Sequence, residues 1–132
     1  MLSKNFKKII INVIWLMLLL VSYSLAQTEI TIDVAPNVLN LQNNAQVVTV
    51  HTDIAYGAVQ ASTVYLNEVE ISSWKSDLRG NFVAKFNIDE IKDLPLVIGE
   101  KNILTLIGTT TSGEPFSGSQ DILVVSNSAR VK

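Results

Sequence analysis

The stretch Ile30-Thr31-Ile32-Asp33-Val34 decides the fold class. Three branched aliphatic residues alternate with two polar ones. Successive side chains of a strand point to opposite faces, so this spacing makes one apolar face and one wet face. A helix would put apolar residues at both i+3 and i+4, whereas here i+2 is apolar and i+3 is Asp33. The period of two returns down the chain. Leu39 and Leu41 resume it after Pro36-Asn37, and Val48 and Val50 alternate with Thr49 and His51. Val64 and Leu66 flank Tyr65, and Phe82, Ala84 and Phe86 alternate with Val83 and Lys85. Leu104 and Leu106 flank Thr105, and Ile122 and Val124 end the series.

Turn chemistry separates these runs. Gln42-Asn43-Asn44, Asn67-Glu68 and the Gly80-containing segment 76–81 are turn signals, and Val69-Glu70-Ile71 is a short returning strand. Residues 52–62 are expected to form a loop carrying Gly57, and residues 109–118 a polar connection with Gly113 and Pro115. One segment breaks the rule. Ile88, Ile91 and Leu94 are three apart with Asp89 and Glu90 near the start, which predicts a helical turn over 88–94, ended by Pro95.

Seven or eight short strands with one helical turn predict an all-β protein, an antiparallel β-sandwich; a small closed barrel is the alternative. The predicted core is Ile30, Ile32, Val34, Leu39, Leu41, Val48, Val50, Val64, Leu66, Phe82, Ala84, Phe86, Leu104, Leu106, Ile122 and Val124. Burying a large apolar side chain contributes roughly 1.5–3 kcal/mol, so this set can hold a domain together without a cross-link. None is available, because the chain has no cysteine. That also removes thiol chemistry, cysteine metal sites and a lipoprotein anchor, and the Cys…Trp…Cys spacing of antibody domains.

Upstream of the first strand the composition changes. Lys4, Lys7 and Lys8 precede an uncharged, mostly apolar run from Ile9 to Val21, and Ser24-Leu25-Ala26 places small residues where a signal peptidase cuts. Residues 1–26 are therefore expected to be a secretory signal peptide, residues 27–125 the domain, and residues 126–132 a polar tail. The alternative is an uncleaved anchor, since the charge-free stretch from Ile9 to Thr28 just reaches membrane-spanning length. Ser22, Tyr23, Ser24, Gln27 and Thr28 weaken that alternative. All twelve acidic residues but only seven of the ten basic ones follow position 26, so the processed domain carries a net charge of −5. That balance gives no basic footprint for nucleic acid and no polybasic patch for anionic lipid.

A resemblance covers nearly all of residues 30–125. It is carried by Ile32-Asp33-Val34-Ala35-Pro36-Asn37-Val38-Leu39-Asn40-Leu41, then Val48-Thr49-Val50 and Ser62-Thr63-Val64-Tyr65-Leu66-Asn67. Gly80-Asn81-Phe82-Val83-Ala84-Lys85-Phe86, Leu104-Thr105-Leu106-Ile107-Gly108 and Phe116-Ser117-Gly118-Ser119-Gln120-Asp121-Ile122 continue it. In this order and spacing the series resembles the immunoglobulin-like β-sandwich modules appended to many exported bacterial proteins. The resemblance implies a non-catalytic extracellular module that works beside other domains. Here the module stands alone in the chain, which implies a separate partner or a free secreted protein.

Candidate chemistry is sparse. Similar modules often carry an acidic, glycine-containing turn where Asp77-Leu78-Arg79-Gly80-Asn81 stands. Calcium takes six to eight oxygen ligands, whereas here Arg79 separates Asp77 from Asn81, so a plain turn is expected and no metal. His51, the sole histidine, should lie on the strand face opposite Val48 and Val50, in solvent. No nucleophile elbow, zinc-protease helix, Walker loop or dinucleotide glycine pattern is present. Asp89 and Glu90 favour the start of a helical turn. No catalytic residue and no cofactor is expected.

Three aromatics are the candidate ligand-binding residues: Tyr65, Trp74 and Tyr56. Tyr65 alternates with core residues and should face outward, where an aromatic can stack on a sugar ring or anchor a protein contact. Covering a sheet edge is the simpler role for Tyr65 and Trp74. The chain is thus expected to be a secreted or periplasmic, non-enzymatic module of the bacterial cell envelope acting through protein contacts. A carbohydrate-binding accessory module is the alternative, and a small extracellular enzyme comes third. The expected partner is an envelope protein or an extracellular polysaccharide, not nucleic acid, and a membrane only if the N-terminal segment stays uncleaved.

Overall fold

Alternation becomes sheet in most of the places where it was read, but Ile30 and Thr31 fall between two strands and Leu41 lies in a turn. A computed structural model describes residues 27–127; the expected signal segment, 1–26, and the end of the tail, 128–132, lie outside the described residues. Ten strands follow in order: β1 (Thr28–Glu29), β2 (Ile32–Ala35), β3 (Val38–Asn40), β4 (Val47–Ala55), β5 (Val59–Leu66), β6 (Val69–Glu70), β7 (Ser73–Ser76), β8 (Asn81–Asn87), β9 (Lys101–Thr110) and β10 (Pro115–Val125). A single 3₁₀ turn, Tyr56–Ala58, joins β4 to β5, and one short helix, α1 (Ile88–Lys92), follows β8.

The strands form two sheets. The smaller runs β2-β4-β8-β7 and is antiparallel throughout. The larger runs β1-β10-β9-β5-β6, with β3 also on β10. Its pairs are antiparallel except β1 and β3, which lie parallel to β10. The N-terminal strand thus starts in the larger sheet, crosses to the smaller as β2, and returns as β3 past a cis Ala35–Pro36 bond.

One continuous core joins the inner faces of both sheets. Every predicted core residue is buried except Leu41, which is half-buried against the core just beyond β3. Ile88 and Ile91 of α1 join the core, and the helix is capped by Asn87, whose Oδ1 accepts from the Asp89 N–H at 2.9 Å.

Four expectations are corrected. The strands number ten, not seven or eight, because Thr28–Glu29 adds β1 in the larger sheet ahead of β2 in the smaller, and Ser73–Ser76 adds β7. Residues 52–62 are not a loop, because β4 runs on to Ala55 and β5 begins at Val59. The irregular stretch of β4 opposite β8 explains the weak pattern, and within it the buried Thr52 hydroxyl donates to the Phe82 carbonyl at 2.6 Å. Residues 109–118 are likewise largely strand, with Phe116 and Gly118 buried. Their small polar residues disguise a strand that another segment crosses at close range. Val83, expected on the wet face, is fully buried there. It sits on an inner strand, β8, with β4 on one side and β7 on the other, in a row with Asp33, His51 and Lys75.

A side-chain bond ties the two sheets where the chain crosses from β1 in the larger to β2 in the smaller. Gln120 lies on the inner-face register of β10, and its Oε1 accepts from the Val34 N–H at 2.6 Å. This satisfies a backbone donor on the outer edge of β2 that no strand reaches. Gly118 sits beneath the crossing; a Cβ there would stand 2.6 Å from the Ile30 carbonyl oxygen.

Candidate functional site

Strand register assembles a partly apolar surface on the outer face of the larger sheet. Directly paired residues point the same way. Tyr65 pairs with Ile107, Ile107 with Ser117, and Ser117 with Glu29, while Glu70 pairs with Tyr65 from the far edge. One row of the face therefore reads Glu29, Ser117, Ile107, Tyr65, Glu70. Further along, Asp121 pairs with Ile103, and Val38 with Leu123, which pairs in turn with Lys101. The row between is polar: Thr105 and Ser119 share a 2.8 Å hydroxyl–hydroxyl bond.

Four large apolar residues are left open on this face. Ile103 is 64 % exposed, Val38 46 %, Ile107 43 % and Tyr65 37 %. The other exposed large hydrophobics are distributed elsewhere: Val47 on the smaller sheet, Trp74 at its edge, and Tyr56, Leu78, Val97 and Ile98 in turns and loops. A contiguous apolar area rimmed by polar residues is the usual mark of an interaction surface, whereas single exposed residues are ordinary.

The sequence picked out one member of this face. Tyr65 lies outward on β5, as alternation requires. Trp74 is elsewhere: it pairs with Ala84 on the core-facing register of edge strand β7, half-exposed at the margin of the smaller sheet. Tyr56 lies in the 3₁₀ turn with its ring centroid 6.2 Å from that of Phe82. Tyr65 and Trp74 thus belong to different sheets and opposite registers. Ile103 and Ile107 went unnoticed although a signal was present, because the run from Ile103 to Ile107 is apolar in both phases, with Leu104 and Leu106 inside. Val38 offered no signal of its own.

Elsewhere the candidate groups are engaged in structure. Asp77 Oδ1 accepts from the Arg79 N–H at 2.8 Å and the Asn81 N–H at 2.9 Å, closing the hairpin between β7 and β8 around Gly80 at φ 82°. His51 is exposed on the outer face of the smaller sheet, in a row with Asp33, Val83 and Lys75 that contains no hydroxyl or thiol. A polar groove of about 490 Å³ opens between α1 and the residues before β4, and Lys92 Nζ donates to the Asn43 carbonyl at 2.6 Å across it. Among the described residues there is no group of three or more His, Asp or Glu side chains placed to hold a metal. No buried side-chain polar atom among them lacks a partner. No described helix is long and apolar enough to cross a membrane. Comparison with known protein families, curated proteins and solved structures finds no match to this chain.

Proposed function

We propose that this chain is an immunoglobulin-like β-sandwich module, exported to the bacterial cell envelope, that performs no catalysis and works by binding another protein through the outer face of its larger sheet. The observation that carries the reading is the gathering of Val38, Ile103, Ile107 and Tyr65 on that one face. Sheet faces of folded domains normally cover or disperse such side chains.

The strand order supports the fold part of the reading. Immunoglobulin sandwiches place their first, second, fifth and fourth strands in one sheet and the third, sixth and seventh in the other, with an added strand beside the third in the variable type. The order β2-β4-β8-β7 against β10-β9-β5-β6 follows the same path. Export is supported by the basic, apolar and small-residue succession of residues 1–26.

Site-specific photo-crosslinking in intact cells tests the function. A photoreactive residue at Ile103 should yield a discrete protein adduct, and one at Asp53, which belongs to the smaller sheet, should not. Absence of an adduct from position 103, or equal adducts from both positions, would overturn the reading.

A further inference from the structure

Resting on the reading of this module as protein-binding, we infer that its outer face takes a partner segment that presents large apolar side chains bracketed by lysine or arginine. The row Glu29, Ser117, Ile107, Tyr65, Glu70 crosses five adjacent strands. Neighbouring strands lie about 4.8 Å apart, so the two glutamates stand about 19 Å from each other with Ile107 and Tyr65 between them. Asp121 adds a third carboxylate beside Ile103, and Lys101, at the end near Val38, is the lone cation among the paired residues of this face. That row thus sets Ile107 and Tyr65 between an acid at each end, while the polar pair Thr105 and Ser119 separates it from Ile103. Its electrostatic complement is an apolar strip with a cation at each end. Long basic side chains suit the glutamates, because their stems lie along apolar surface while their charged heads reach the rim.

Other occupants fit less well. The area that Val38, Ile103, Ile107 and Tyr65 frame, with Thr105, Ser117, Ser119 and Asp121 inside it, runs six residues along β10 and spans four strands, about 20 Å by 14 Å, or about 300 Å². A stable interface buries about 800 Å² on each partner, so a second copy would have to bury the rim as well. It would then bring the three acids of each copy, Glu29, Glu70 and Asp121, into one interface with Lys101 as the single cation each copy offers among the paired residues of this face, a like-charge excess that opposes association. An anionic membrane surface is repelled by the same charges. For a polysaccharide, Tyr65 alone on this face offers a single stacking ring.

Selection from a phage-displayed library of random short peptides on the immobilised protein tests the inference. The selected pool should be enriched in lysine and arginine around large apolar residues. Its binding should fall at least about tenfold with Ile107→Lys, weaken with added salt, and weaken again when Glu29→Lys and Glu70→Lys are combined; both glutamates are exposed, so that variant leaves the core untouched. A pool without basic enrichment, or one that binds Ile107→Lys as well as the parent, would overturn the inference. So would concentration-dependent dimerisation of the parent that Ile107→Lys abolishes, since a second copy would then be the occupant. The crosslink from position 103 reports whether the face meets any protein, and the selection reports only the chemistry it prefers. A positive crosslink with an unbiased peptide pool would therefore remove this inference and leave the binding role standing.

Discussion

Replacing Gly118 by alanine tests the packing at the crossing between the two sheets. Gly118 is in strand β10 and is not among the residues with positive φ. Backbone entropy alone therefore predicts that Gly118→Ala stabilises by about 0.4–1 kcal/mol, by restricting the unfolded chain. The structure predicts the opposite sign. The added Cβ would lie 2.6 Å from the Ile30 carbonyl oxygen, 2.9 Å from Ile32 Cγ2 and 3.0 Å from Ile30 Cγ1. Restoring ordinary contact at about 3.5 Å requires the crossing segment to move by nearly 1 Å. That segment is held by the Ile30 N–H to the Ser117 carbonyl at 2.8 Å and by the Val34 N–H to Gln120 at 2.6 Å. Overpacking costs about 1–3 kcal/mol and a strained or lost hydrogen bond about 1 kcal/mol more, so the net loss should be about 2–3 kcal/mol. In a domain of this length that lowers Tm by about 10–20 °C. Urea unfolding and thermal melts of the two proteins give the answer, with Gly57→Ala as the matched control. Gly57 also lacks a positive φ, and its added Cβ meets nothing within 4 Å, so that variant should be neutral or slightly stabilised. A Gly118→Ala protein as stable as the parent would refute the close crossing.

Phe86 is fully buried and Lys85 beside it points to the other face, so Phe86→Ala should cost about 3–5 kcal/mol and Lys85→Ala less than about 0.5 kcal/mol in denaturant melts. Equal losses would mean that β8 is out of register by one residue. Thr52→Val removes the hydroxyl that donates to the Phe82 carbonyl while keeping the shape, and should lower stability by about 1–3 kcal/mol, with Thr52→Ser retaining the bond. Asp77→Ala should lose about 1–2 kcal/mol through the two N–H groups it serves, and Asp77→Asn much less. Millimolar Ca²⁺ against chelator should leave the melt of the parent unmoved, whereas a rise abolished by Asp77→Ala would make that turn a metal loop.

Local physics accounts for most of what was legible. Side-chain direction in a strand depends only on sequence parity, so the inner positions could be read before any pairing was known. The helical turn expected over 88–94 was legible for the same reason, since the three-apart apolar residues, the first-turn acids and Pro95 lie within a few residues of one another, although the helix ends at Lys92. The turn at Gly80 needs only its own neighbours, including Asp77.

What parity could not supply is which strands are neighbours. Phe116 and Gly118 sat in a stretch that looked like a polar loop, because the requirement for glycine comes from Ile30, far away in sequence, crossing above it. Val83 looked solvent-facing until its central place between β4 and β7 covered it. The same holds for the candidate surface. By itself the sequence determined a cysteine-free chain of alternating strands, and the outward direction of Tyr65. Parity alone puts Ile103 and Ile107 on one face of β9. Only the tertiary structure set them beside Tyr65 and Val38 and placed Glu29 and Glu70 at opposite ends of one row, because strand order and register are decided by how two sheets bury their apolar faces together, and not within any strand.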